Sequence, residues 1–123
     1  ETVSFMAAKA AEEALADSGL KAEEIDLILV ATSSSETVFP NTSCEVQKAI
    51  GAVHAWGYDL NAALFGIILA LNTAQSYIRS GLVKTALVIG AEKMSRIVDW
   101  KDRGTCILFG RRCRCSGSPG RRK

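Results

Sequence analysis

Four cysteines and a single histidine are the side chains of this sequence best suited to nucleophilic or metal chemistry. A thiolate attacks carbonyl carbon and binds soft metals, but it needs a lowered pKa or neighbouring ligands to do either. Cys113 and Cys115 form a C-x-C pair with no second pair at zinc spacing, and His54 lies far upstream, so no metal site is expected. Cys106 sits inside the apolar run 105–109 and reads as an inert core thiol. Cys44, just past Pro40 at the opening of a short helix, could serve as a nucleophile, with packing as the plainer reading. His54 falls in a loop before a strand and reads as solvated or locally bonded.

Charge divides the chain in two. Six of its 15 Lys and Arg lie in residues 111–123, where no Asp or Glu occurs; the other nine face 13 Asp and Glu, so residues 1–110 carry −4. Five arginines in that tail would attract phosphates. A nucleic-acid-binding domain, however, spreads basic residues over a folded face and offers aromatic residues for stacking, and this tail has none. No nucleic-acid partner is expected.

No stretch reaches the ~18 uninterrupted apolar residues of a membrane span, and Glu1 opens no signal peptide, so no membrane partner is expected. Four cysteines in 123 residues do not make a disulfide scaffold, which points to a reducing cytoplasm. The length allows one domain.

The elements that must position these residues follow from periodicity. Val3, Met6, Ala7, Ala10, Ala14 and Leu15 recur at helical spacing over 3–18, with Gly19 as the stop. The apolar, β-branched run 25–31 predicts a strand buried on both faces. Pro40 and Asn41 open a helix over 42–50, closed by Gly51. Residues 56–60 are a second strand, 84–90 a third and 105–109 a fourth. Between them, 62–80 is apolar nearly all round, which predicts a helix covered on every side, ended by Gly81. Strands alternating with helices predict α/β, with a mixed, mostly parallel sheet and 62–80 as its buried central helix. About 110 residues cannot supply both covering layers. The chain should therefore expose apolar surface on its own.

Several segments carry a resemblance. They include Glu1-Thr2-Val3-Ser4-Phe5-Met6, Ile25-Asp26-Leu27-Ile28-Leu29-Val30-Ala31-Thr32, Phe39-Pro40-Asn41-Thr42-Ser43-Cys44 and Tyr58-Asp59-Leu60-Asn61-Ala62-Ala63. After them come Val88-Ile89-Gly90-Ala91-Glu92-Lys93-Met94-Ser95-Arg96 and Asp99-Trp100-Lys101-Asp102-Arg103-Gly104-Thr105-Cys106. In order and without a gap over 1–110, they resemble the β-ketoacyl-acyl-carrier-protein synthase III family, of the thiolase fold. The resemblance implies a partial thiolase-like fold, a piece of the family's first half that lacks its opening strand. It also implies condensation of acetyl-coenzyme A, or another short acyl-CoA, with malonyl-acyl-carrier protein to start fatty-acid synthesis. The coenzyme A thioester is a substrate, and no cofactor is implied. A homodimer is implied too, paired through the strand containing Leu87, Val88 and Ile89. A non-catalytic thiolase-fold partner subunit, or a related acyl-CoA condensing enzyme of polyketide or other secondary metabolism, are the rival readings.

The same resemblance assigns site residues. The family's nucleophilic cysteine position is occupied here by Leu64, which can form no thioester, and its catalytic His and Asn have no counterpart in 1–110. Phe39 corresponds to a turn residue that lines the partner's acyl pocket, or else is an ordinary apolar turn residue. Arg103 corresponds to an arginine that meets the nucleotide portion of coenzyme A, or else pairs with Asp99 or Asp102. Phe109 corresponds to an aromatic on the active-site floor, where a core role would look the same. Cys44 falls where the family commonly has a packed Cys or small residue.

After Gly110 the family continues Asp-Gly-Ala-Gly-Ala, whereas this chain continues Arg111-Arg112-Cys113-Arg114-Cys115-Ser116-Gly117-Ser118. Encoded as CGA CGG TGC CGG TGC AGT GGT TCT and read one letter later, that tail becomes Asp-Gly-Ala-Gly-Ala-Val-Val. Residues 111–123 therefore read as out of frame, belonging to no domain. Leu64-Phe65 written CTG TTC becomes Cys-Ser under the same slip followed by glycine, so Leu64 is either genuine or a hidden cysteine. Sequencing the encoding DNA decides both. The expected result is the family's continuation one letter after codon 110, and a tail whose alternate frame gives unrelated residues would exclude the slip.

Overall fold

The computed structural model describes residues 1–97, Asp99, 101–103 and, as backbone, 114–115. Helix α1 (Val3–Ser18) starts where the Thr2 hydroxyl accepts the Phe5 amide, and it ends at Gly19, whose φ of 68° suits a residue without Cβ. Strand β1 (Leu27–Ala31) follows a single 3₁₀ turn, two residues later than the apolar run begins. Helix α2 (Thr42–Ile50) is capped by the Asn41 side chain and stopped by Gly51. Strand β2 (Trp56–Leu60), helix α3 (Gly66–Arg79) and strand β3 (Ala86–Ala91) complete two successive strand–helix–strand steps. A two-residue strand β4 (Arg114–Cys115) pairs antiparallel with Gly90 and Ala91.

The sheet order is β2-β1-β3-β4, with the first three strands parallel. All five residues of β1 are buried, as a strand covered on both faces requires. Ile28 and Val30 face α1 and α2, in one core with Val3, Met6, Val46, Leu87 and Ile89. Leu27, Leu29 and Ala31 face the other way, in a second core with Ala70, Ala74, Val83 and Val88. The result is three layers, with α1 and α2 on one face and α3 on the other. Gly57 is required where β2 meets β1, because a Cβ there would lie 1.9 Å from the Ile28 carbonyl oxygen.

One expectation needs correction. The helix expected over 62–80 begins only at Gly66. Residues 63–65 form a 3₁₀ turn, since Ala63 has φ 46° and that left-handed residue breaks helical continuity. Gly66, Ala70 and Ala74 of this helix meet the sheet, while Leu64, Phe65, Ile68, Leu69 and Leu71 are exposed, the uncovered apolar surface expected of a chain too short to supply both covering layers. On its far side β3 meets β4 only through Gly90 and Ala91, so among the described residues Leu87, Val88 and Ile89 have no second partner strand, and neither does the outer edge of β2. The strand expected over 105–109 lies outside the described residues.

That uncovered face of α3 has a measurable consequence, because a contiguous apolar patch binds hydrophobic dyes and self-associates. The expressed chain should enhance anilinonaphthalenesulfonate fluorescence and sediment as concentration-dependent oligomers. Replacing Ile68 and Leu71 with Ser should reduce both signals. A dye-silent monomer would contradict the exposed face.

Candidate functional site

Parallel pairing fixes where the candidate residues meet. Ala31 of β1 stands level with Leu60 of β2 and Gly90 of β3, so the three strands end together. The segments leaving those ends carry Phe39, Leu64 and Arg103 respectively. In parallel α/β sheets the carboxyl end is where ligands gather, because the connecting loops there can converge while the helices cover the faces.

The middle segment is a sharp strand–turn–helix elbow. β2 ends at Leu60, Ala63 takes its left-handed conformation, and α3 begins at Gly66. A non-glycine residue with positive φ is strained, and such strain concentrates at sites where one side chain must be presented. The side chain presented next is Leu64, 82% exposed at the N-terminal end of α3. Helix N-terminal amides favour an anion at that point. Leucine has no atom to use that field.

Asp59, one residue before the end of β2, ties this elbow to the neighbouring segment. Its Oδ2 and Oδ1 accept the amides of Thr42 and Ser43, each at 2.8 Å, while Asn41 Oδ1 accepts the Cys44 amide at 3.0 Å. Together these side chains satisfy the free donors of the first turn of α2. The Phe39–Pro40 turn is thereby anchored directly upstream of α2, with a cis peptide between the two residues and the Thr37 hydroxyl donating to the Pro40 carbonyl at 2.8 Å. Phe39 itself is 92% exposed. Cys44 is exposed rather than packed, on the outward side of the same turn. His54 is exposed, as expected.

Arg103 is exposed on the segment after β3. Phe109, Cys106 and Cys113 lie outside the described residues. Among the described residues no three of His, Cys, Asp and Glu gather as a metal site would require, and no helix is long and apolar enough to cross a membrane.

Periodicity passed over one residue of this strand-end cluster. Glu92, the first residue beyond β3, points its carboxylate at the hydroxyl-rich run after β1. Oε1 accepts the Ser33 amide at 2.6 Å and the Ser33 hydroxyl at 2.8 Å; Oε2 accepts the hydroxyls of Ser34 and, at 3.4 Å, Thr32. The available signal was a Thr-Ser-Ser-Ser run and an acidic residue, each immediately following a buried strand.

Tyr58 lies on the α3 side of β2. Its hydroxyl meets that of Tyr77 at 3.2 Å, and Trp56 packs edge-on to the Tyr77 ring. The hydrogen bond to Tyr77 first, then burial, then the neighbouring phenol as a second site of negative charge push the Tyr58 pKa up to about 12.

Comparison with known proteins finds one family repeatedly. The family model described as 3-oxoacyl-[acyl-carrier-protein (ACP)] synthase III matches residues 58–111. The β-ketoacyl-[acyl-carrier-protein] synthase III of Clostridium acetobutylicum is 56% identical over 110 residues, covering 89% of this chain and 34% of that protein. The corresponding protein of Bordetella petrii is 52% identical over 109 residues, covering 89% and 33%. Among solved structures, the 3-oxoacyl-[acyl-carrier-protein] synthase III of Aquifex aeolicus superposes with a TM-score of 0.85 at 48% identity, over 87% of this chain and 35% of that one. The priming β-ketosynthase of the R1128 polyketide pathway gives 0.81 at 35% identity, over 84% and 31%. The chain spans about a third of the length of the curated relatives it matches.

The tyrosine pair supplies a pH test. A folded pKa raised above the ordinary value of 10.0 favours the folded state fully below pH 10, and that contribution is lost as pH rises toward 12. Absorbance titration near 295 nm should show a tyrosine ionising near 12, and Tyr77→Phe should bring it back toward 10. An unchanged titration in Tyr77→Phe would mean that the hydrogen bond does not set it.

Proposed function

Because this chain belongs to the 3-oxoacyl-[acyl-carrier-protein] synthase III family, we propose that the protein it forms condenses acetyl-coenzyme A, or another short acyl-CoA, with malonyl-acyl-carrier protein. This is the first condensation of fatty-acid synthesis, a cytoplasmic reaction. The observation that carries the reading is the strained elbow at Ala63, with the next side chain raised at the N-terminal end of α3. In the family's chemistry a cysteine thiolate there attacks the acyl carbonyl and expels the coenzyme A thiolate. Malonyl-carrier protein then loses carbon dioxide, and its carbanion attacks the enzyme thioester. The new carbon–carbon bond releases β-ketoacyl-carrier protein and regenerates the cysteine.

In this reading Arg103 contacts the nucleotide of coenzyme A, Phe39 lines the acyl pocket of a partner subunit, and Phe109 closes the site floor. Phe39 and Arg103 are both exposed, which leaves each side chain available to a ligand or a second subunit. The free edge of β2 suits pairing with a second copy in a homodimer. The carboxylate of Asp59, held by two amides of α2, keeps the elbow and the Phe39 turn in register.

Leu64 favours a second reading. A leucine at the nucleophile's place leaves a thiolase-fold partner subunit that contributes surface and no thioester. Similarity to the R1128 priming β-ketosynthase supports a third, condensation in polyketide synthesis.

A pair of hybrids separates enzyme from partner subunit. Residues 1–110 would replace the matching third of the Clostridium acetobutylicum relative, with either Leu64 or Leu64→Cys. The Leu64→Cys hybrid should take up radiolabelled acetyl groups from acetyl-coenzyme A and form acetoacetyl-carrier protein. The Leu64 hybrid should be slower by about 10⁴-fold or more, the order of loss when a catalytic nucleophile is removed. Equal activity, or a Leu64→Cys hybrid that cannot be acetylated, would overturn the ketosynthase reading. Leu64→Cys in the 123-residue chain alone should remain inactive, as it supplies no family His or Asn.

A further inference from the structure

The hydrogen bonds between the segments after β1 and β3 interlock in a way that neither segment can satisfy alone. The Glu92 carboxylate accepts only, and it receives the Ser33 amide together with the hydroxyls of Ser33, Ser34 and Thr32. Two of those hydroxyls are used a second time as acceptors. Ser34 Oγ accepts the Lys93 amide at 2.9 Å, and Thr32 Oγ1 accepts the Ser34 amide at 3.2 Å. Ser34 is 2% exposed, so its hydroxyl has no water to replace Glu92. Beyond this cluster, Arg96 Nη2 donates to the Ser35 carbonyl at 2.7 Å, and Nη1 lies 3.8 Å from Glu36 Oε1. That same Glu36 oxygen accepts the Val3 amide at the start of α1.

If the segment after β1 lifts away, Glu92 is left half-buried with its charge uncompensated. If the segment after β3 lifts away, the buried Ser34 hydroxyl and the Ser33 amide lose their acceptor. Ser33 is exposed and can turn to water, but the buried Ser34 hydroxyl and the half-buried Glu92 carboxylate cannot do so freely, so each separate opening costs more than the bonds it breaks. Opening both together returns all of these groups to water.

We propose that Glu92 and Arg96 are positioning residues that make the segment leading to Phe39 and the segment leading to Arg103 open and close as one cooperative unit. The side chain proposed for the acyl pocket and the one proposed for coenzyme A would then be ordered, or released, in a single event. This meaning for acyl-CoA rests on the ketosynthase reading; the coupling itself does not.

Amide hydrogen exchange at single-residue resolution on the full chain tests the coupling. In the unmodified chain the amides of Ser33, Ser34 and Lys93 should open with one equilibrium constant and one denaturant dependence. Glu92→Gln keeps the shape and removes the charge, and it should lower the protection of all three together by about 10–100-fold. The Lys93 amide is the decisive one, since its acceptor is Ser34 and not Glu92. Arg96→Met should lower the same set by a smaller factor, and amides of Leu29 and Val30 in β1 should be unchanged in both variants.

Unequal opening in the unmodified chain would overturn the proposal. So would a Lys93 amide that stays protected while Ser33 is released, or a loss spread evenly through β1 and α1. Should Glu92→Gln fail to fold, the unmodified chain and Arg96→Met still decide. Failure of the ketosynthase reading would show in the hybrids and leave these exchange rates untouched.

Discussion

Everything in this molecule hangs on β1 being used on all four sides. Both its edges are paired, to β2 and to β3, and both its faces are buried. A strand so placed can carry no polar side chain, and its neighbours must run parallel because a helix connects each successive strand. Parallel pairing in one register is what ends three strands level with one another. The strand-end cluster is therefore a result of backbone geometry before any side chain is considered. Gly57 shows how tight the condition is: the β2 backbone comes so near Ile28 that nothing larger than hydrogen fits.

Those parts of the fold set by local chemistry were legible in the sequence. Both α1 and α2 end at a glycine in a left-handed turn, and their bounds were readable from those glycines, from the Pro40–Asn41 start of α2 and from the apolar spacing that begins at Val3. The doubly buried strand was readable from its unbroken apolar run over 27–31. What depended on distant neighbours was not. Apolar residues all round 66–79 show that this helix wants cover on every side, and which side goes without depends on the layers that 110 residues can supply. The turn at Ala63 was invisible because alanine is a good helix former, and only the constraint of joining β2 to α3 forces it into the left-handed region.

The candidate site divides along the same line. Phe39, Leu64 and Arg103 were found through motif resemblance, and strand order explains why residues so far apart in sequence belong to one end of the sheet. Glu92 escaped, because its partners lie 58–60 residues away and no periodicity links them. Asp59 escaped in a similar way. It was quoted as part of a motif, while its work in holding the first turn of α2 follows only from strand β2 passing beneath that helix. Polar side chains that fasten elements together leave no pattern of their own in a sequence.

The level pairing of β1 also sets a clock for the growing chain. Leu27 pairs with Trp56 and then with Ala86, so β1 leaves the ribosome long before either edge can be satisfied. At a synthesis rate of about 5–20 residues per second, the second partner follows roughly 3–12 s after the first strand residue. No hairpin can form in the interval, because parallel neighbours require a complete helical crossover. During those seconds an apolar strand with two open edges must be sheltered by α1 and α2 or by a chaperone.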